Sequence, residues 1–410
     1  MTRKFQPARG TRDFLPEEMI RRQYILEKIK QVFEKWGFDP LDTPAFEDWK
    51  LLSAKFGGGE EIKKEIYYFK DKSDRELGLR FDLTVPLARV VATNLDLPKP
   101  FRRYQIGKVW RYDRPGFGRF REFWQTDIDT VGSNKPETDA EIIACTCDVF
   151  KTLGFKDQSI RLNNRKLVEG FVLKVGIKKE KLFDVFRSID KLEKFDEDYV
   201  RKELKTKGVS AKAINEIIKF TKIKGSPKQV LEKAKKMILD QKVGLEGIKE
   251  LEEIMKSLKS LGFDKDVYID LSLVRGLEYY TGPVFEAVIK KGKWSLAGGG
   301  RYDNMIKLFG GPDTPATGIS LGVERIMEVM KERKMFTALK SKTKVFVAAV
   351  NDEVREDSVK IAKKLRDEEI NTQTDLMGRN LRKQLEYADS LGIPFVVIVG
   401  PKELKRKKLC

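Results

Sequence analysis

The sequence predicts an α+β core built on an antiparallel sheet, interrupted by a helical insertion and followed by a small α/β domain. Three observations lead there. Residues 101–132 alternate as two strands about a polar loop, the pattern of a hairpin. Residues 178–261 change texture: glycines are few, lysine and glutamate dominate, and apolar residues recur at helical spacing. Residues 345–399 alternate short apolar runs with amphipathic stretches, which implies a mostly parallel sheet. With 410 residues, 40% of them hydrophobic, the chain exceeds one typical domain and can bury a large core.

Residues 16–36 read as a long amphipathic helix. Pro16 suits its first position, and Glu17 and Glu18 meet the positive end of the helix dipole. Ile25, Ile29, Val32, Phe33 and Trp36 form one apolar stripe, and Gly37 ends it before the extended Phe38-Asp-Pro-Leu-Asp-Thr-Pro44. In the hairpin, Tyr104-Gln-Ile-Gly-Lys-Val-Trp-Arg111 gives way to the loop Tyr112-Asp-Arg-Pro-Gly-Phe-Gly-Arg119, and Phe120-Arg-Glu-Phe-Trp-Gln-Thr-Asp-Ile-Asp-Thr-Val131 returns. Residues 178–261 hold 22 Lys and Arg against 15 Asp and Glu, so the helical segment is itself basic. Ala316–Gly322 reads as a strand followed by a helix from about Val323, and the polar, basic residues 332–344 read as a linker. Beyond it, strands over Val345–Val350, Thr372–Leu376 and Phe395–Val399 alternate with helices over roughly 352–369 and 380–391. The expected division is therefore a core of 1–177 with 262–335, a helical insertion of 178–261, and a last domain of 343–410.

Net charge is +19 with a pI near 9.5, which favours an anionic partner such as nucleic acid; a merely lysine-coated surface gives the same excess, and charge alone does not decide between them. The chain has no histidine. That excludes Ser-His-Asp and Cys-His nucleophile systems, histidine general bases and histidine-ligated metals. Chemistry is left to carboxylates, arginines, lysines, tyrosines, backbone and a hard metal ion. Cys145, Cys147 and Cys410 form no disulfide framework. Cys145 and Cys147 sit two apart in an expected helix and do not share a face, so they read as thiols and not as a metal pair. The start, Met1-Thr-Arg-Lys-Phe-Gln-Pro7, lacks an apolar signal core, and no apolar run approaches a membrane span. A cytoplasmic, membrane-free protein is expected.

Two glycine-rich segments are the most informative part of the chain. They are Leu273-Val-Arg-Gly-Leu-Glu-Tyr-Tyr-Thr-Gly-Pro-Val-Phe-Glu286 and Ala297-Gly-Gly-Gly-Arg-Tyr-Asp303. Each sets an arginine and one or two tyrosines beside glycines that let backbone approach a ligand closely. The second lacks the full G-x-G-x-x-G pattern, and no G-x-x-x-x-G-K-[ST] loop occurs, so dinucleotide and P-loop sites are rejected.

In their order and spacing the two segments resemble the signature motifs of histidyl-tRNA synthetase, a class II aminoacyl-tRNA synthetase. Residues 16–44, 101–132 and 313–334 resemble class II motifs 1, 2 and 3. Arg382-Lys-Gln-Leu-Glu-Tyr-Ala388 and Gly392-Ile-Pro-Phe-Val-Val-Ile-Val-Gly400 resemble the group's anticodon-binding domain. The absent histidines also exclude the class I signature. The resemblance implies the class II synthetase fold with a homodimer formed through motif 1, an insertion near the tRNA acceptor stem, and ATP, Mg2+, L-histidine and tRNA(His) as cofactors and partners. That domain usually continues for another strand and helix. Here the sequence stops at Lys405-Arg-Lys-Lys-Leu-Cys410, so the last domain is expected to be C-terminally shortened, by truncation or as a minimal tail.

By the same resemblance, Arg111 clamps the α-phosphate and the substrate carboxylate. Arg325 holds the γ-phosphate, and Arg275 faces the reacting groups from the other side. Asp113 and Phe123 contact adenine. Asp129, Tyr280 and Tyr302, with Tyr279, make the imidazole pocket, and Asp82, Thr84 and Gln125 hold the α-ammonium. Arg114 and Arg119 of the motif 2 loop are implied tRNA contacts. Some members carry Glu at the places of Asp82 and Asp129, and the shorter version resembles the archaeal and eukaryotic branch. The alternative is a non-charging paralogue that serves as regulatory subunit of ATP phosphoribosyltransferase. Such relatives typically lack the anticodon domain and lose motif residues, whereas all three arginines and a C-terminal α/β segment are present here.

Overall fold

The computed structural model describes residues 5–54, 64–114, 116, 118–193, 195–275, 279–289, 295–336 and 340–405. Cys410 and the tail after Lys405, Pro115 and Phe117 of the motif 2 loop, and Gly276–Glu278 of the first glycine-rich segment lie outside them. The chain forms two compact units, one of Ala8–Thr11 with Leu26–Glu328, the other of Met1–Pro7 with Arg12–Ile25 and Val329–Cys410.

The larger unit is organised on an eight-stranded sheet. Its strands are β1 (Asp39–Pro40), β5 (Phe101–Trp110), β6 (Glu122–Val131), β7 (Gln158–Asn164), β8 (Val267–Ile269), β9 (Pro283–Ile289), β10 (Ser295–Arg301) and β11 (Ala316–Gly322). They stand in the order β1-β5-β6-β11-β10-β9-β7-β8. The five central pairings are antiparallel, as expected. Both edges are parallel, β1 on β5 and β8 on β7. At the second edge the reason is topological. More than 100 residues of mostly helix separate β7 from β8, and a long crossover returns the chain in the same direction. The helical segment 178–261 lies within that crossover, as five α-helices among the described residues, from Leu182–Asp190 to Lys242–Leu261. The last of them buries Ile248, Leu251, Ile254 and Leu258, and it belongs to the same compact unit as the sheet.

Helix Pro136–Thr152 buries Ile142, Ile143, Val149 and Phe150, together with Cys145 and Cys147. Both thiols are fully buried, and burial pushes their pKa values well up, so they are inert packing groups. A smaller sheet, β2 (Phe46–Asp48), β3 (Tyr68–Lys70) and β4 (Glu76–Leu79) in the order β2-β4-β3, precedes helix Thr84–Thr93.

In the other unit, β12 (Val345–Ala349), β13 (Thr372–Thr374) and β14 (Phe395–Val399) form a parallel sheet in the order β13-β12-β14. Helices Arg355–Asp367 and Leu381–Ser390 make its crossovers. β12 is buried along its length, which explains its uninterrupted apolar sequence. No helix among the described residues is long and apolar enough to cross a membrane.

Candidate active site

The site lies on one face of the large sheet. Phe123, Gln125, Asp127 and Asp129 are spaced by two along β6 and so share a face. Backbone pairing sets Gln125, Asp127 and Asp129 opposite Gly322, Ser320 and Gly318 of β11, and opposite Gly107, Gln105 and Arg103 of β5. A cavity of about 340 Å3 opens over this face. It is lined by every candidate residue from the sequence except Arg114: Asp82, Thr84, Arg111, Asp113, Arg119, Phe123, Gln125, Asp129, Arg275, Tyr279, Tyr280, Tyr302 and Arg325. Arg114 is exposed outside it, whereas Arg119 turns into the lining and pairs with Asp113 at 2.9 Å.

One end of the cavity is acidic. Asp129 is buried and ion-paired with Arg103 Nη2 at 2.8 Å, while Tyr302 Oη donates to its other oxygen. Burial and this carboxylate hold the Tyr302 hydroxyl well above the usual tyrosine pKa, so it stays a donor. Tyr279 and Tyr280 lie side by side with ring centroids 4.5 Å apart, and both reach the cavity. Asp82 accepts from Val85 N at 2.9 Å at the start of helix Thr84–Thr93. Gln125 donates to Ser320 Oγ at 2.6 Å, while its Oε1 is buried with no hydrogen-bond partner among the described residues. Asp127 Oδ1 is likewise buried and, among the described residues, without a hydrogen-bond partner. A buried acceptor left unpaired is costly, and an ammonium with three N–H donors suits such a pair of acceptors.

The other end is basic. Arg111 Nε donates to Phe81 O at 2.8 Å, and its guanidinium lies 5.3 Å from the Phe123 ring centroid. Arg325, in the first turn of helix Val323–Glu332, donates to Ser295 O at 2.8 Å. Burial, together with the charges of Arg119, Arg111 and Arg275, lowers the pKa of Arg325. Four cations that repel one another across a cavity make a receptor for a polyanion.

Arg275 holds the strained position of the site. Its φ of +53° is in the left-handed region, which a side chain adopts at a cost of about 1–3 kcal/mol. Its guanidinium occupies the space over Gly298, where an added Cβ would stand 1.7 Å from Nη1. At Gly318 an added Cβ would stand 1.9 Å from Asp129 Oδ1. The two glycines are thus gaps in the sheet face that the Arg275 and Asp129 side chains fill. Arg301, the arginine of the second glycine-rich segment, points elsewhere. It pairs with buried Asp139 at 2.6 Å and with Asp303 at 3.3 Å, and so anchors the turn that presents Tyr302.

Sequence reasoning missed Arg103, Asp127 and Ser320. Asp127 has a pKa pushed up to about 7, chiefly by burial, with Arg103 opposing and Asp129 adding to the rise. A carboxyl raised from 3.8 binds its proton more tightly folded than unfolded. Its stabilising share is therefore complete below about pH 4 and lost as pH rises through about 7. Relative to wild type, Asp127→Asn should gain stability across that window, with a slope approaching about 1.4 kcal/mol per pH unit. Urea unfolding of both proteins at pH 5 and pH 8 checks this. Equal differences at the two pH values would contradict it.

The cavity therefore has a cationic end, an acidic end lined by tyrosines, and a strained arginine in its lining. Its sheet has close counterparts among known proteins. Residues 10–326 match the family model described as Histidyl-tRNA synthetase, and residues 344–409 match the model described as Anticodon binding domain. The chain is 42% identical to the histidine--tRNA ligase of Aeropyrum pernix, over 97% of this chain and 91% of the relative. It is 41% identical to that of Gloeobacter violaceus, over 96% and 91%. A crystal structure of histidyl-tRNA synthetase from Nostoc sp. PCC 7120 superposes with a TM-score of 0.87 at 33% identity, covering 99% of this chain and 94% of that one. An ATP phosphoribosyltransferase regulatory subunit/histidyl-tRNA synthetase from Bacillus halodurans shares the fold at 23% identity and a TM-score of 0.81. With one family model spanning most of the chain and relatives above 40% identity along nearly all of it, the chain belongs to the histidyl-tRNA synthetase family.

Proposed function

We propose that this cavity performs both steps of histidine–tRNA ligation. In the first, a carboxylate oxygen of L-histidine bonds to the α-phosphorus of ATP and pyrophosphate leaves with the electrons of the broken P–O bond. In the second, a terminal ribose hydroxyl of tRNA(His) attacks the acyl carbon of the adenylate and AMP leaves. The observation that carries this reading is the polarity of the cavity, cationic where a triphosphate must lie and anionic where an ammonium must lie.

Neither step calls for a nucleophilic side chain, which suits a chain without histidine. Arg111 and Arg275 steer the two reacting anions together and offset charge building at phosphorus. Arg325, with Arg119, receives the outer phosphates. Asp113 and Phe123 flank the base. ATP enters with Mg2+ on its phosphates, so the metal arrives as part of the substrate. Asp82, Thr84, Gln125 and Asp127 receive the α-ammonium. Asp129, Tyr302, Tyr279 and Tyr280 surround the imidazole, and a site that hydrogen-bonds both ring nitrogens discriminates strongly against apolar isosteres. Acceptance of tRNA by the basic helical segment and by the last domain, with Arg114 as an outer contact, agrees with the net charge of +19 and predicts salt-sensitive affinity. A cytoplasmic homodimer is part of the same proposal.

ATP–pyrophosphate exchange across all amino acids, with Arg275→Ala alongside, tests the assignment. Exchange with histidine alone is expected, reduced about 10²–10³-fold in the variant, as for loss of one preorganised donor to a developing charge. Folded protein that exchanges with no amino acid would point to the regulatory paralogue.

A further inference from the structure

One lateral row of residues runs across the large sheet into the cavity. Arg161 of β7 pairs with Glu286 of β9, Glu286 with Gly298 of β10, and Gly298 with Ser320 of β11. Directly paired residues project from the same face. Gly298 contributes no side chain to this row, and the Arg275 guanidinium fills its place. Glu286 therefore stands between two cations. Its Oε2 accepts from Arg161 Nη1 at 2.7 Å, and its Oε1 faces Arg275 Nη1 at 3.8 Å. The carboxylate is buried, so little water screens either attraction.

Arg161 is itself held from the helical crossover. Glu193, in the turn Lys191–Glu193, accepts from its Nη1 at 3.0 Å, and Asp270 accepts from its Nε at 3.1 Å. Lys224, also of the crossover, reaches Asp270 at 3.3 Å. Arg161 thus fixes the near oxygen of Glu286, and the far oxygen is left to face the one cavity arginine whose backbone is strained.

We propose that Glu286 is a positioning residue for Arg275, with Arg161 as its anchor: the row Arg161–Glu286–Gly298 draws the Arg275 guanidinium onto the sheet face and holds it toward the reacting groups. The inference rests on the assignment of Arg275 given above. It predicts that Glu286 acts on turnover through Arg275 and not on substrate binding.

The test is a double-mutant cycle in pyrophosphate exchange, with the guanidinium located independently by crystallography. Glu286→Gln should lower kcat roughly hundredfold, the scale of a 1 Å misplacement, with the KM values for histidine and ATP little changed. In an Arg275→Ala background it should lower kcat no further. Glu286→Asp should restore part of the loss. A crystal structure of Glu286→Gln should show the guanidinium displaced from Gly298. Unchanged kcat, losses that multiply in the double variant, or an effect confined to KM would overturn the proposal. Should Glu286→Gln not fold, Glu286→Asp serves alone: a fall in kcat that vanishes in the Arg275→Ala background supports the proposal, and an unchanged kcat overturns it. If Arg275→Ala exchanges like wild type, Arg275 has no part in the chemistry and its assignment fails. The guanidinium position in Glu286→Gln then still decides the positioning, displaced in favour and unmoved against.

Discussion

Replacing Arg103 by methionine is expected to destabilise the larger unit by about 3–5 kcal/mol, the cost of stripping a buried ion pair of one partner. Arg103 has no exposed surface, and its guanidinium pairs with Asp129 Oδ2 at 2.8 Å and donates to Leu83 O at 3.1 Å. It also opposes the rise of the Asp127 pKa. Methionine would leave two carboxylates buried without their counter-ion, and they would take up protons or admit water. The second half of the expectation concerns Asp129→Asn in the same chain. Removing both charges should return much of the lost stability while histidine-dependent exchange is lost, because the proposed imidazole pocket is without its carboxylate. Urea unfolding of the single and double variants, beside an exchange assay, separates the two effects. A single variant as stable as wild type would show that the ion pair is not what holds this end of the cavity.

Gly298→Ala should leave the fold nearly intact and lower kcat for exchange about hundredfold. The three atoms nearest the added methyl all belong to the far end of Arg275, with Nη1 at 1.7 Å and Cζ at 2.4 Å, and a long side chain can swing aside. The sheet is then undisturbed while the guanidinium leaves the reacting groups. Gly318→Ala offers the contrast. There the methyl would meet Asp129 Oδ1 at 1.9 Å and Ile128 O at 2.7 Å. Asp129 is pinned by Arg103 and Tyr302, and backbone cannot swing aside, so the second variant should lose stability first. Thermal melts and exchange assays on the pair check this. Equal melting temperatures with equal activities would contradict the reading of both glycines.

The elements were legible because their causes are local. Pro16 opens the first helix, Ala316–Gly322 and Phe395–Val399 are strands at the expected residues, and the alternation after Lys344 yields the parallel sheet. The parallel edge of β8 was not legible, because three strand residues at the end of a long crossover leave no periodic trace. The cavity candidates were legible by resemblance: two glycine-rich segments and a hairpin marked ten of the residues that line it, and Asp82, Thr84 and Arg325 came from segments on either side. Arg114 shared that signal and lies outside, since a loop position two or three residues along changes direction without changing composition.

By itself the sequence determined which residue types were available: no histidine, a cationic excess, carboxylates spaced by two on one strand, and glycines where side chains from elsewhere must lie. The tertiary structure decided their pairing. Arg103 meets Asp129, Glu286 meets Arg161, and Arg275 covers Gly298 only through strand registers that join residues far apart in the chain. Register is set by the whole sheet at once, since a slip of one residue turns every side chain to the opposite face, and no local window of sequence contains that information.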